Sequence, residues 1–311
     1  MQRIFITGVT GFIGQNLVKY FDTDATIELF GHSRNAAKAK AQLTNKVILV
    51  ERCAAQFFND NIIDTVIHLA GIAHDLSNQY KPSDYYQVNF ENTKLIFNEF
   101  LKSNATTFIF LSSIKAAIDI SATPVEESVA PNPVTDYGKS KRQAEEYLLS
   151  VNLPDNKRVY ILRPCMVHGE GNKGNLNLLY QFAKSNLPYP FGSFENQRSF
   201  LSIDNFNFSM SAFVKASLPS GIYHLADDGF LSAKELFTII SQELGKKPRI
   251  WNLPASLILV LFSAIGKRGM LNKLTEDMMV ANFKLQKHLE KPLPIKIDEG
   301  IRKTIRSFHV R

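Results

Sequence analysis

Over 311 residues the chain carries 2 cysteines and 1 tryptophan. Cys53 and Cys165 lie far apart with no Cys/His cluster near either, which excludes a disulfide framework and a structural zinc site, so no metal is expected. A reducing cytoplasm is the expected compartment. No charged lead and apolar run of the signal-peptide kind follows Met1-Gln2-Arg3, and a strand pattern begins at once. Nor is there an apolar run near the roughly 20 residues that cross a bilayer. The longest, Leu253 to Ile265, contains Pro254 and Ser263 and reads as a buried or interfacial helix. Basic runs of five or more are also missing, so a net charge of +7 does not identify a nucleic-acid partner, and none is expected. The surplus leaves open a merely basic surface or the steering of a phosphorylated small molecule.

What is present is a folded composition, with 45% hydrophobic and 11% aromatic residues in a length that suggests about two domains. Short apolar runs alternate with helical periods through the first two-thirds. The expected strands are Arg3 to Thr7, Thr26 to Phe30, Lys46 to Val50, Asp64 to Ala70, Thr106 to Ser112 and Arg158 to Arg163. Helices are expected over Phe12 to Phe21, Asp84 to Leu101 and Tyr137 to Val151. Strands buried on both faces read as near-continuous apolar runs, so this is an α/β chain, a doubly wound Rossmann parallel sheet. After Pro164 the rhythm changes, giving residues 1–164 as a dinucleotide-binding domain and 165–311 as a smaller, mainly helical substrate domain. Residues 200–226 are expected to contribute to the first, with Gly221 to Ala226 as a strand returning to its sheet.

Directly after the first strand stand Gly8, Gly11 and Gly14 at a spacing of three. Gly8 permits a tight turn, Gly11 lets the backbone approach a pyrophosphate, and Gly14 lets the helix that opens at Phe12 and Ile13 pack against the strand. Free N–H groups at that helix start suit anionic phosphates. A glycine triplet alone is weak evidence; strand, triplet and helix together are specific for a dinucleotide. At the end of the second strand no carboxylate is available for a ribose 2′-hydroxyl, whereas Ser33 and Arg34 suit a 2′-phosphate. NADP is therefore favoured, with NAD as the alternative if Arg34 stacks on adenine or faces solvent.

Tyr137 and Lys141 are one helical turn apart and share a face. A tyrosine acting near neutrality needs its pKa lowered by about 3 units, or roughly 4 kcal/mol, which an adjacent ammonium and a positive nicotinamide ring would supply. Ser113, just past the fifth strand, stands where open α/β sheets place ligands. Thr135 and Asp136 are both candidates to cap the tyrosine helix.

In these motifs, and in His68-Leu69-Ala70-Gly71, Val88-Asn89 with Thr93, Arg163-Pro164, Val167-His168-Gly169 and Arg198-Ser199-Phe200, the chain resembles the extended short-chain dehydrogenases/reductases of the nucleotide-sugar epimerase/dehydratase branch. The resemblance implies Tyr137 as acid/base, Lys141 as ribose contact and pKa-lowering neighbour, and Ser113 as the group that orients the sugar oxygen. It also implies a cofactor site that includes Leu69, Ala70, Gly71, Asn89 and Pro164, substrate contacts from Asn175, Leu176 and Arg198, and a homodimer. Ile114-Lys115 stands where family dehydratases carry Asp-Glu, which disfavours loss of water. Hydride transfer at sugar C4 remains, either reduction of a UDP-4-keto-6-deoxy-N-acetylhexosamine by NADPH, favoured by Arg34, or 4-epimerization of a UDP-sugar with tightly held NAD. A dinucleotide sensor without catalysis is the reading from another class; the retained Ser113, Tyr137 and Lys141 argue against it.

Overall fold

The computed structural model describes residues 1–43, 46–72, 80–172, 175–216, 218–264, 266, 271, 275–289 and 291–309, with backbone alone for 38, 175 and 309. Its strands are β1 (Gln2–Thr7), β2 (Ile27–His32), β3 (Ile48–Val50), β4 (Thr65–His68), β5 (Thr107–Leu111), β6 (Ser121–Val125), β7 (Arg158–Pro164), β8 (Met166–His168), β9 (Phe200–Ser202), β10 (Gly221–Leu225) and β11 (Met278–Val280). Seven of them form one sheet in the order β10-β7-β5-β4-β1-β2-β3. Every pairing in it is parallel. The central strands are buried throughout, as their unbroken apolar runs require. β6 with β11, and β8 with β9, make two small sheets whose three- to five-residue strands carry no periodicity long enough to read from sequence.

Alternation along the strands sends side chains to two layers. Ile4 and Ile6 join Leu17, Val18 and Phe21 of α1 (Phe12–Phe21) on one face. Phe5, Phe108 and Phe110 join Phe58 of α3 (Ala55–Asp60) on the other, the short α2 (Ala36–Lys40) lying between α1 and α3 in the chain. The segment expected as one helix from Asp84 to Leu101 is α4 (Pro82–Tyr85), a π-helical turn (Tyr86–Glu91) and α5 (Asn92–Lys102), whose Phe97 and Phe100 enter the second layer. α6 (Asp136–Ser150) follows β6 and adds Ala144 and Leu148. Thr135 is the residue that caps α6, accepting from Gly138 N at 3.1 Å.

Beyond β8, α7 (Asn175–Lys184) and α9 (Ala233–Glu243) pack with the C-terminal helix Ile297–His309 around a third core containing Leu176, Tyr189, Phe237 and Ile301. α8 (Ile203–Lys215) does not join it. Its Phe206, Met210 and Phe213 lie in the first layer against α1, next to β10 at the sheet edge. α10 (Ala255–Ala264) buries only Ile258, while Leu257, Leu259, Val260 and Leu261 are exposed. Of the buried and interfacial alternatives for the apolar run from Leu253 to Ile265, the exposure fits the interfacial one. Trp251, just ahead of the helix, is 54% exposed.

Candidate active site

All seven strands of a parallel sheet end on the same side, and the loops after β1, β2 and β4 open there into a cleft of about 1210 Å³. Gly8, Gly11, Ser33, Arg34, Leu69, Ala70 and Gly71 line it. Gly8 has φ +74°, and a Cβ on it would sit 2.8 Å from Ala70 N. A Cβ on Gly14 would come within 2.2 Å of Gly8 O, so α1 can lie this close to the turn only without one. Gly11 precedes α1 in extended conformation; no side chain caps that helix, and no acidic residue occupies its first turn. Phe12 and Ile13 turn their side chains to the core and leave the backbone N–H groups of the turn to an anion. These residues fit the diphosphate of a dinucleotide.

A chain of hydrogen bonds fixes the β4 side of the cleft. Thr7 Oγ1 accepts from Ala70 N at 3.2 Å and lies 2.7 Å from His68 Nδ1; His68 Nε2 lies 3.0 Å from Thr93 Oγ1, which donates to Asn89 O. That order makes Nδ1 the acceptor and Nε2–H the donor of a neutral ring. Burial, followed by the charge of Lys141, pushes the His68 pKa down to about 3. Asn89, on the π-helical turn, accepts from Ile72 N at 2.8 Å and donates to Ile72 O and Ser140 Oγ, pinning the loop after Gly71 to α6. An extra residue in a helical turn re-aims one side chain, and here it aims Asn89.

Ser113 caps a short 3₁₀ turn, accepting from Lys115 N at 3.2 Å, and its hydroxyl is hydrogen-bonded to the Tyr137 phenol. Lys141, one turn further along α6, is buried, donates to Leu111 O at 2.8 Å and stands 4.8 Å above the Phe110 ring. A Cβ on Gly71 would lie 3.1 Å from its Nζ, so the ammonium borders the dinucleotide cleft. The sequence expectation for the phenol is modified by this geometry. Burial pushes the Tyr137 pKa up, offset in part by the Ser113 hydrogen bond, while the Lys141 ammonium is turned to a carbonyl. Burial lowers Lys141 itself to about 8, against the charge of Glu145.

Glu145, one turn beyond Lys141, is a residue the sequence reading missed. Wholly buried, it accepts from Ser112 Oγ at 2.5 Å and from Arg163 Nε and Nη2 at 2.8 and 2.6 Å. A bidentate pair at zero exposure ties α6 to β7 and to the serine before Ser113. Its sequence signal was the i, i+4 spacing from Lys141, with an Arg in the strand that lies beside β5.

Other expected residues fall elsewhere. Pro164 is the last residue of β7, paired with Leu225; the ring removes a donor just where the strand stops needing one. Leu176 is 1% exposed in the third core, so its side chain packs rather than contacts substrate. Asn175 opens α7, but its side chain lies outside the described residues. Arg198 donates to Glu276 O at 2.9 Å, close to Cys165, and burial lowers its pKa. Lys115, which has no role readable from sequence, pairs with Asp119 at 2.7 Å. Among the described residues no group of His, Cys, Asp and Glu could hold a metal ion.

The profile of the NAD dependent epimerase/dehydratase family matches residues 4–226, from β1 to the end of β10. The chain belongs to this family. It is thus an enzyme of the short-chain dehydrogenase/reductase type. Among curated relatives, the UDP-glucose 4-epimerase of Vibrio cholerae is 28% identical, covering 99% of this chain and 95% of its own. The N-acetyl-alpha-D-glucosaminyl-diphospho-ditrans,octacis-undecaprenol 4-epimerase of Escherichia coli O157:H7 is 28% identical, over 82% of this chain and 76% of its own. Among solved structures, the UDP-glucuronic acid 4-epimerase of Bacillus cereus in complex with UDP-glucuronic acid and NAD matches with a TM-score of 0.78 at 17% identity, covering 99% of both chains. That last likeness is one of fold.

Proposed function

We propose that this epimerase/dehydratase-family enzyme is a UDP-sugar 4-epimerase that retains NAD. The observation that carries the reading is the hydrogen bond between Ser113 and Tyr137 beside the buried Lys141, at the sheet end where the glycine cleft opens. The Vibrio cholerae relative, matched along nearly its whole length, supports a UDP-sugar and C4 chemistry. NAD, when bound, supplies the acceptor and donor of the C4 hydride. Gly8, Gly11 and the start of α1 would hold its diphosphate, and Lys141 its nicotinamide ribose.

Tyr137 takes the proton of the sugar 4-hydroxyl and returns it after the 4-keto sugar has presented its other face. Ser113 donates to the same oxygen and holds it in line with the phenol. Positive charge must be brought to the phenol for this, because the buried ring otherwise keeps its proton. Asn89 keeps the loop at Gly71 in place. We propose Arg198 as a contact for the substrate diphosphate and a homodimer as the working assembly.

One observation favours a second reading. The described lining of the cleft contains Ser33 and Arg34 and no Asp or Glu, a composition suited to the 2′-phosphate of NADP and so to a 4-keto-sugar reductase. One experiment separates the two. The cofactor released from purified protein by heat is identified, and the protein is then incubated with UDP-glucose or UDP-N-acetylglucosamine. Retained NAD with interconversion of C4 epimers and no net consumption supports the epimerase; stoichiometric oxidation of added NADPH with a UDP-4-keto-6-deoxy sugar replaces it with the reductase.

A further inference from the structure

α10 is apolar around its whole circumference, Ala-Ser-Leu-Ile-Leu-Val-Leu-Phe-Ser-Ala, yet it touches the body of the protein along one narrow stripe. Ile258 is buried, and Phe262, one turn on, sits 5.7 Å from Phe191. Leu257, Leu259, Val260 and Leu261 are between 39% and 66% exposed on the remaining surface. A helix that is hydrophobic all round belongs in a core or in lipid, and one lying at a surface has an apolar solvent missing. With 10 residues it cannot span a bilayer.

The surroundings identify that solvent. Trp251 stands 54% exposed four residues before the helix, and an indole at the edge of an apolar patch is the usual residue of a membrane–water boundary. The exposed Lys247 and Arg249 precede it, and Lys246 donates to Ala183 O and Lys184 O, joining this basic strand to the exposed Lys184 at the end of α7. From residue 244 to 275 the sequence holds six Lys or Arg and no Asp or Glu. Glu195 is the acid nearest along the adjoining loop, which is tied to Leu253 O through Ser193. Exposed Lys247, Arg249 and Lys184 ahead of a bare apolar helix are complementary to anionic headgroups above acyl chains, and they would repel the same surface of a second copy.

We propose that α10 and Trp251 form a monotopic docking surface for an anionic phospholipid bilayer, into which the helix lies flat with Lys247 and Arg249 at headgroup level. The docking is independent of which C4 reaction the site performs.

Trp251 is the chain's one tryptophan, so its emission reports the patch directly. The full chain is floated with vesicles of phosphatidylglycerol and phosphatidylcholine, and with phosphatidylcholine alone. Expected are co-flotation with the anionic vesicles, a shift of Trp251 emission to shorter wavelength, and quenching by brominated acyl chains. Lys247→Ala with Arg249→Ala weakens binding roughly 25-fold, since each basic residue near such a surface contributes a factor of about five. Leu257→Glu with Leu261→Glu abolishes it at unchanged turnover of soluble UDP-sugar. The proposal is overturned by unaltered Trp251 emission with anionic vesicles, or by flotation of the Leu257→Glu, Leu261→Glu variant equal to that of the parent. It is also overturned if vesicle binding is absent and the same variant dissolves a dimer in sedimentation, which would give the face to a second copy.

Discussion

Tyr137 is held by Ser113 in a setting that raises its pKa, so the proton transfer proposed for it depends on charge delivered by neighbours. Tyr137→Phe should lower kcat by about 10²- to 10⁴-fold while dinucleotide affinity, measured by fluorescence titration, changes little. Lys141 is protonated only below about pH 8. Loss of its proton removes the positive charge beside the site, so kcat should fall on the alkaline side with a limb near that pH. Glu145 raises the Lys141 pKa, and Glu145→Gln should therefore move the limb to lower pH, which a pH–rate profile detects. The same substitution leaves Arg163 buried with a weaker partner. A cost of about 3–5 kcal/mol attends complete loss of one member of such a pair, and the amide, keeping one acceptor, should cost less. A merely structural Glu145 would lower stability without moving the limb.

The joint between β1 and α1 is the element on which the dinucleotide site rests. A methyl at Gly14 would strike Gly8 O, a backbone atom with no room to retreat, and Gly8 is itself wedged under Ala70. Gly14→Ala should therefore push α1 off the turn, destabilise the protein by about 1–3 kcal/mol in urea unfolding, and weaken NAD binding more than a surface substitution of the same helix such as Lys19→Ala. The π-helical turn at Tyr86–Glu91 is the second such device. It was invisible in a sequence whose apolar spacing reads as one continuous helix, because the extra residue is accommodated by packing against α6 and not by any local signal.

Taken as one body, the fold buries three histidines in uncharged form. Burial lowers His68 to about 3 and His168 and His224 to about 4. Unfolded imidazoles titrate near 6.5, so stability is complete above that pH and is lost as pH falls through the window between 6.5 and 4, where the unfolded chain binds more protons. Asp227 opposes this. Burial raises it to about 7, so the folded state holds its proton where the unfolded carboxyl, near 4, has lost it. Three groups against one give a net uptake of about two protons on unfolding at pH 5, and the melting temperature should drop steadily from pH 6.5 to pH 4. Thermal denaturation across that range checks it; a flat profile would mean that these imidazoles are solvated.

Much of this was legible in the chain itself. The doubly wound sheet followed from runs such as Thr107–Leu111, apolar because both their faces are covered, and the dinucleotide turn from three glycines whose missing side chains are a steric requirement. That Tyr137 and Lys141 share one face of α6 followed from helical pitch alone. Tertiary structure decided what depends on meetings between distant segments. It brought Glu145 to Arg163 and Ser112, packed Leu176 into the third core, carried Phe206 of α8 back to the first layer, and left α10 uncovered. Local propensity and period are written within a few turns of chain; burial and the proton affinities it shifts are properties of the packed whole.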